Sequence, residues 1–91
     1  GVALSEDEKI AYLASGSRGL VIVDLNDSSN PLEIGSYPSG DVRKVTLSKD
    51  GKRVYINNSS NIEILDTTNP TMPMLLGGSI PAGWNASVVL S

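Results

Sequence analysis

The chain has no cysteine, no histidine and no phenylalanine, and aromatic residues make up only 4% of its 91 positions. Without cysteine there is neither a disulfide nor a thiolate metal site. Without histidine the commonest general base and the commonest transition-metal ligand are both missing. No apolar run approaches the roughly 18–20 residues that a membrane-spanning helix needs. Positive charge is sparse as well. Seven Lys and Arg stand against ten Asp and Glu, for a net charge of −3. Only Arg43-Lys44 and Lys52-Arg53 are adjacent, so the concentrated basic patch that nucleic acid requires is absent. No segment carries helical periodicity over 11 or more residues.

What is present is a repeat. Hydrophobic residues make up 40% of the chain, which suits a folded globular protein. "VALS" at 2–5 returns as "VTLS" at 45–48 and "VVLS" at 88–91, a spacing of 43 each time. Between these marks Asp7 matches Asp50, Lys9 matches Lys52 and Tyr12 matches Tyr55. After one residue is lost near Ser59–Asn61, Leu20 matches Ile62, Asp24 matches Asp66, Pro31 matches Pro73 and Gly35 matches Gly77. One residue gained near Gly78 restores the spacing, so Pro38 meets Pro81 and Gly40 meets Gly83.

Each copy reads as four short strands divided by turn signals. In the second copy these fall at Arg43–Ser48, Arg53–Asn57, Ile62–Asp66 and Met74–Ile80. The first turn carries Asp50-Gly51, a strong hairpin signal because Gly accepts a positive φ. The first copy has Glu8 at that place, so Glu8 must hold a positive φ or the loop must be rebuilt. Asp24 and Asp66 each end a strand before a run of Ser, Thr, Asn and Pro, where a carboxylate caps downstream amides in an Asx-turn. Four strands per copy in tandem is the pattern of a β-propeller blade. This explains "LVIV" at Leu20–Val23: a middle strand covered on both faces has no reason to alternate. Glu63 interrupts the matching "IEIL", so burial there should be less complete.

At "GLVIVDLNDSSNPLEIGSYP" the chain resembles the LVIVD-repeat family of β-propellers. "NIEILDTTNPTMPMLLGGSIP" matches more loosely, and "LSKDGKRVYINNSSNIEILD" is similar to the related YVTN propeller repeats. The fold class implied is all-β: two four-stranded antiparallel blades, about 2–38 and 42–81, plus the innermost strand of a third at about 86–91. The resemblance also implies a secreted or cell-surface setting. It carries no catalytic motif.

Two blades own four faces, and docking them together covers two. A blade about 19 Å wide and 17 Å long leaves on the order of 300 Å² on each uncovered face, and together these match the largest apolar patch normal for a monomer. Further propeller blades, in the same parent chain or in other copies, are therefore expected partners. Three copies would build a six-bladed ring, but each copy's Val88–Ser91 would compete with the next copy's Val2–Ser5. That duplicate, and an opening on Gly with no lead-in to the first strand, favour a window from a longer array over a self-assembling peptide.

Propeller ligands usually meet loops at the channel mouth. Here these are 15–18 and 57–60, linking second to third strands, and 38–43 and 81–86, linking blades. They offer Trp84, Asp41, Arg43, Arg18 and Asn85 as partner contacts, for another protein or a glycan. Trp84 equally suits a plug between blades, since an indole serves either role. "DLNDSSN" sets oxygens at Asp24, Asn26, Ser28 and Asn30 but lacks the Gly and the distal Glu of a calcium loop. No metal and no cofactor is expected. Asn26, Asn57, Asn58 and Asn85 each begin an N-x-S sequon. The inner strands bring only Ser5, Thr46, Ser48 and Ser91, with no base beside them, so their hydroxyls are expected to complete backbone hydrogen bonds. The reading is a non-catalytic interaction scaffold. Its alternatives are part of a propeller enzyme with catalytic residues in other blades, and a purely structural array.

Overall fold

A computed structural model describes residues 1–27, 29–76 and 80–81. The expected inner strand of a third blade, at 86–91, lies outside the described residues, as do Trp84 and Asn85. Among the described residues nine strand segments form two antiparallel sheets. The first runs β1 (Val2–Leu4), β2 (Ile10–Ala14), β3 (Leu20–Asp24) and β4 (Leu32–Tyr37), each beside its sequence neighbour. The second runs β5 (Lys44–Leu47), β6 (Arg53–Asn57), β7 (Asn61–Asp66) and β8 (Met74–Leu75), with β9 (Ile80–Pro81) also on β7. No helix occurs among the described residues. The all-β, two-blade propeller segment expected from the repeat is what the chain forms.

Of the outermost strand expected over Met74–Ile80, residues 77–79 lie outside the described residues. Met74 and Leu75 pair with Asp66 and Leu65, Leu76 N–H donates to the Ile64 carbonyl at 2.8 Å, and Ile80 lies opposite Ile62. In the first sheet the register slips on the outer strand, between Ile22 and Val23, leaving Ile34 as the extra residue of a bulge.

The two hairpin turns keep one geometry despite their different residues. Glu8 takes φ of 60° and Gly51 takes 72°, so Glu8 does hold the left-handed conformation. The turn is held by side chains present in both copies. Ser5 Oγ donates to Asp7 Oδ1 at 2.7 Å, and Lys9 N–H donates to the same oxygen at 3.0 Å. Ser48 Oγ and Lys52 N–H bind Asp50 in the same way, at 2.8 and 3.0 Å.

Strand register sorts the side chains by face. In the first sheet Ala3, Tyr12 and Ile22 align across three strands, with Ala14 and Leu20 on the same side. Val2, Leu13 and Val21 align on the other, with Leu4, Ala11 and Val23. In the second sheet Val45, Ile56 and Glu63 share a face with Leu47, Val54 and Leu65; Thr46, Tyr55 and Ile64 lie opposite. The core between the sheets joins Tyr12, Leu20 and Ile22 of the first to Val54, Ile56 and Leu65 of the second, with Val42 from the link. The sheets meet along their inner strands, where β5 packs on β1 and β2. Further out, the Pro70 carbonyl fills the gap against Gly35, where any Cβ would collide with it.

In β3, Leu20, Val21 and Ile22 are 0%, 3% and 0% exposed. Leu20 and Ile22 are buried by the second sheet. Val21 points the other way and lies between Leu13 and Ser36 of the flanking strands, so its burial comes from its own sheet. In β7, Ile62 and Leu65 are buried while Glu63 and Ile64 are only half-buried, which is the lesser burial that Glu63 foretells.

Candidate functional site

Three of the loops expected to form a channel mouth, 15–18, 38–43 and 57–60, come together at one end of the two sheets. Gly16, at φ 59°, exchanges two backbone hydrogen bonds with Val42 of the link, Gly16 N–H to Val42 O at 2.8 Å and Val42 N–H to Gly16 O at 3.0 Å. Val42 is fully buried and anchors the link in the core. Its two neighbours are thereby held outward. Arg43 Nη2 lies 3.3 Å from Asp41 Oδ2, with the Arg43 side chain exposed and that of Asp41 partly so. Arg43 N–H also donates to the Asn57 carbonyl at 3.1 Å, which ties the link to the second sheet. Asp41 and Arg43 are thus brought together beside Gly16, on a backbone fixed at both ends.

Arg18 is not part of that group. Its guanidinium donates to Glu33 Oε1 at 2.8 Å, pairing the β2–β3 turn with the outer strand of its own sheet. Trp84 and Asn85 lie outside the described residues, so the described part of the mouth consists of Asp41, Arg43 and the turns around them.

A second cluster at the same end escaped the sequence reading. Ser39 Oγ donates to Glu63 Oε1, and Asn58 Nδ2 reaches Ser39 Oγ at 3.2 Å and Glu63 Oε1 at 3.3 Å. Asn58 Oδ1 accepts from the Ser60 and Asn61 amides at 3.0 and 2.7 Å. Ser39 and Asn58 are buried. The link, the β6–β7 turn and β7 are therefore joined by side chains. A carboxylate on a face between sheets is stable only when hydrogen-bonded, and these two residues meet that need. The Tyr37 phenol is pushed above its ordinary value, first by burial and then by the Glu63 charge. The one available signal was Glu63 standing where the first copy has Val21. Its partners, 24 and 5 residues away, follow no spacing rule.

The opposite end carries the paired hairpins, with a shallow groove lined by Ser5, Glu6, Asp7, Lys49, Asp50 and Gly51. Asp7 is held below its ordinary value of 3.8, chiefly by the Ser5 hydroxyl and then by the Lys9 amide. Asp50 is lowered by the Lys52 amide and then the Ser48 hydroxyl. Ser5 Oγ and Ser48 Oγ also accept from the Ile10 and Arg53 amides, at 3.0 and 3.1 Å. Both hydroxyls serve the backbone, as expected of them. Asp24 Oδ1 accepts from the Asn26 amide and from Asn26 Nδ2, each at 2.8 Å, and Asp66 Oδ1 from the Thr68 amide at 2.9 Å. These are Asx-turns. No group of three metal-ligating side chains comes together among the described residues.

The model of the LVIVD repeat matches residues 1–38 and again residues 39–79. The chain belongs to the LVIVD repeat family. No curated protein matches it. The LVIVD residues that name the family are β3 itself, Leu20–Asp24, and their physical roles are now assigned. The first and third positions face the neighbouring blade, the second and fourth face away, and the Asp closes the strand by capping the turn. In the second LVIVD repeat the same places are Ile62, Glu63, Ile64, Leu65 and Asp66. The boundary between the matches, at 38/39, falls in the link that Val42 anchors.

Proposed function

We propose that this LVIVD segment is a non-catalytic interaction scaffold. It presents the Asp41–Arg43 end to another protein or a glycan, within a larger propeller completed by further blades. The observation that carries the proposal is the two-way Gly16–Val42 bridge. A binding surface gains affinity when its contact groups are already held in place, and here one buried valine fixes a partly exposed acid and an exposed base on either side of it. The inner-strand hydroxyls Ser5 and Ser48 are engaged in turn formation, which supports a binding role over nucleophilic chemistry. The family resemblance supports a secreted or cell-surface setting.

The test is capture from a glycan array and from a surface-protein library by the full chain and by the double variant Asp41→Ala/Arg43→Ala. A ligand held by the parent chain should be held at least tenfold more weakly by the variant, at an unchanged melting temperature. Trp84→Ala belongs in the same series: weaker capture with unchanged stability makes it a contact, whereas a large loss of stability makes it a plug. Turnover of ester or lactone substrates by the full chain would overturn the non-catalytic reading.

A further inference from the structure

The link between the blades is held by residues that the repeat does not supply twice. Ser39, Asn58 and Glu63 correspond to Ala82, Ser15 and Val21 of the other copy. All three depart from the repeat together, and all three meet in space. Glu63 is the costly member. It lies across from Ile56 on the face that meets the first blade, where a carboxylate is worse placed than a valine unless it is hydrogen-bonded. A break of this kind in an apolar pattern points to a task other than packing. Its donors are Ser39 Oγ, from the link, and Asn58 Nδ2, from the β6–β7 turn.

The first blade holds the same stretch by shape. Gly19, at φ 79°, lies so close to it that a Cβ there would collide with the Tyr37 carbonyl oxygen and crowd the Ser39 amide. The second copy has Asn61 at that place. After Ser39 comes Gly40, at φ 67° with open space where a side chain would stand. Asp41 follows, and then the Gly16–Val42 bridge.

We infer that Glu63 is a positioning residue for the Asp41–Arg43 pair. Through Ser39 it fixes the leading half of the link, as Gly16 fixes the trailing half through Val42. Arg43 has its own tie to the Asn57 carbonyl at 3.1 Å. Asp41 lies between the two fastenings and just past an unsupported glycine, so Asp41 is the member released when the Ser39 end comes loose.

Backbone amide relaxation, measured by NMR on the full chain, reads the link directly. In the parent chain Gly40 and Asp41 should have order parameters near the rigid value of about 0.85. Glu63→Ala should lower both toward about 0.6, or bring exchange broadening to both, while Val42, Tyr12 and Ile22 keep their values. Glu63→Gln retains an oxygen for both donors and should restore the order. Ser39→Ala removes the link's end of the same contact and should repeat the loss, so the test stands even where Glu63→Ala fails to fold. The melting temperature falls under either role and does not choose between them. Unchanged order at Gly40 and Asp41 in Glu63→Ala and Ser39→Ala overturns the proposal, because Val42 alone would then hold the link. Loss of order spread equally to Tyr12 and Ile22 overturns it too, as does a Glu63→Gln chain as loose at the link as Glu63→Ala. Positioning serves capture only if the scaffold reading holds, but no ligand enters this measurement. A chain that captures nothing yet loosens as expected would sink that reading and leave the role of Glu63 standing.

Discussion

The Gly35 backbone lies directly against the Pro70 carbonyl oxygen, where the outer strand of one blade meets the strand-to-strand loop of the next. The contact leaves no room for a methyl group. Gly35→Ala must push the two blades apart or bend the loop, at a cost typical of overpacking, about 1–3 kcal/mol. Chemical denaturation should register that loss, with the midpoint falling and the slope unchanged.

Glu8 and Gly51 occupy one turn position in two copies, both at positive φ. An L-residue held there costs about 1–2 kcal/mol, partly offset on substitution by the greater freedom of glycine when unfolded. Glu8→Gly should therefore raise stability by about 0.5–1 kcal/mol, and Gly51→Ala should lower it by a similar amount. Melting curves of the two variants should move in opposite directions.

Asn58 is the most heavily used member of the buried cluster. Its carbonyl oxygen caps two amides and its amide group reaches Ser39 and Glu63. Asn58→Ala strips all of these at once and should cost about 2–3 kcal/mol. Glu63→Gln keeps an acceptor for Ser39 and should cost less than Glu63→Ala. Thermal unfolding of the three variants checks the order.

The pH response has two limbs. Asp7, Asp50 and Asp66 are held below their ordinary value of 3.8, Asp66 chiefly by the Thr68 amide. Their contribution is complete above 3.8 and fades as pH drops through the lower folded values. All three are exposed, so the acid limb should be shallow, and Asp7→Asn/Asp50→Asn should flatten it. Tyr12 lies above its ordinary value of 10.0, because burial outweighs the hydrogen bond with Thr67. Its neutral form is favoured in the folded state. That stabilisation is complete below 10.0 and lost as pH rises through the raised folded value. Tyr12→Phe should remove much of the alkaline limb in a melting series across pH.

The blade pattern was legible because turns and apolar runs are local. Asp50-Gly51 marks a hairpin, Asp24 and Asp66 mark strand ends, and Leu20–Val23 marks a covered strand. Arg53–Asn57 spans the residues its pattern indicates. The positive φ at Glu8 was legible too, since the repeat aligns it with a glycine. Less legible were features set by contacts between distant segments. Arg18 was grouped with Asp41 and Arg43 by loop membership, yet Glu33, 15 residues on, claims its charge. Ser39 and Asn58 look like ordinary turn residues until the fold sets them beside Glu63. Val21 looked as if it needed a neighbouring blade to cover it, and cross-strand packing suffices.

The sheets are joined chiefly along β1, β2 and β5. Added or deleted residues should therefore be absorbed at the rim, where a bulge already interrupts β4, while one residue inserted into β5 would throw the whole seam out of step. Length variation between relatives of this chain is accordingly expected to gather on the periphery and spare the hub.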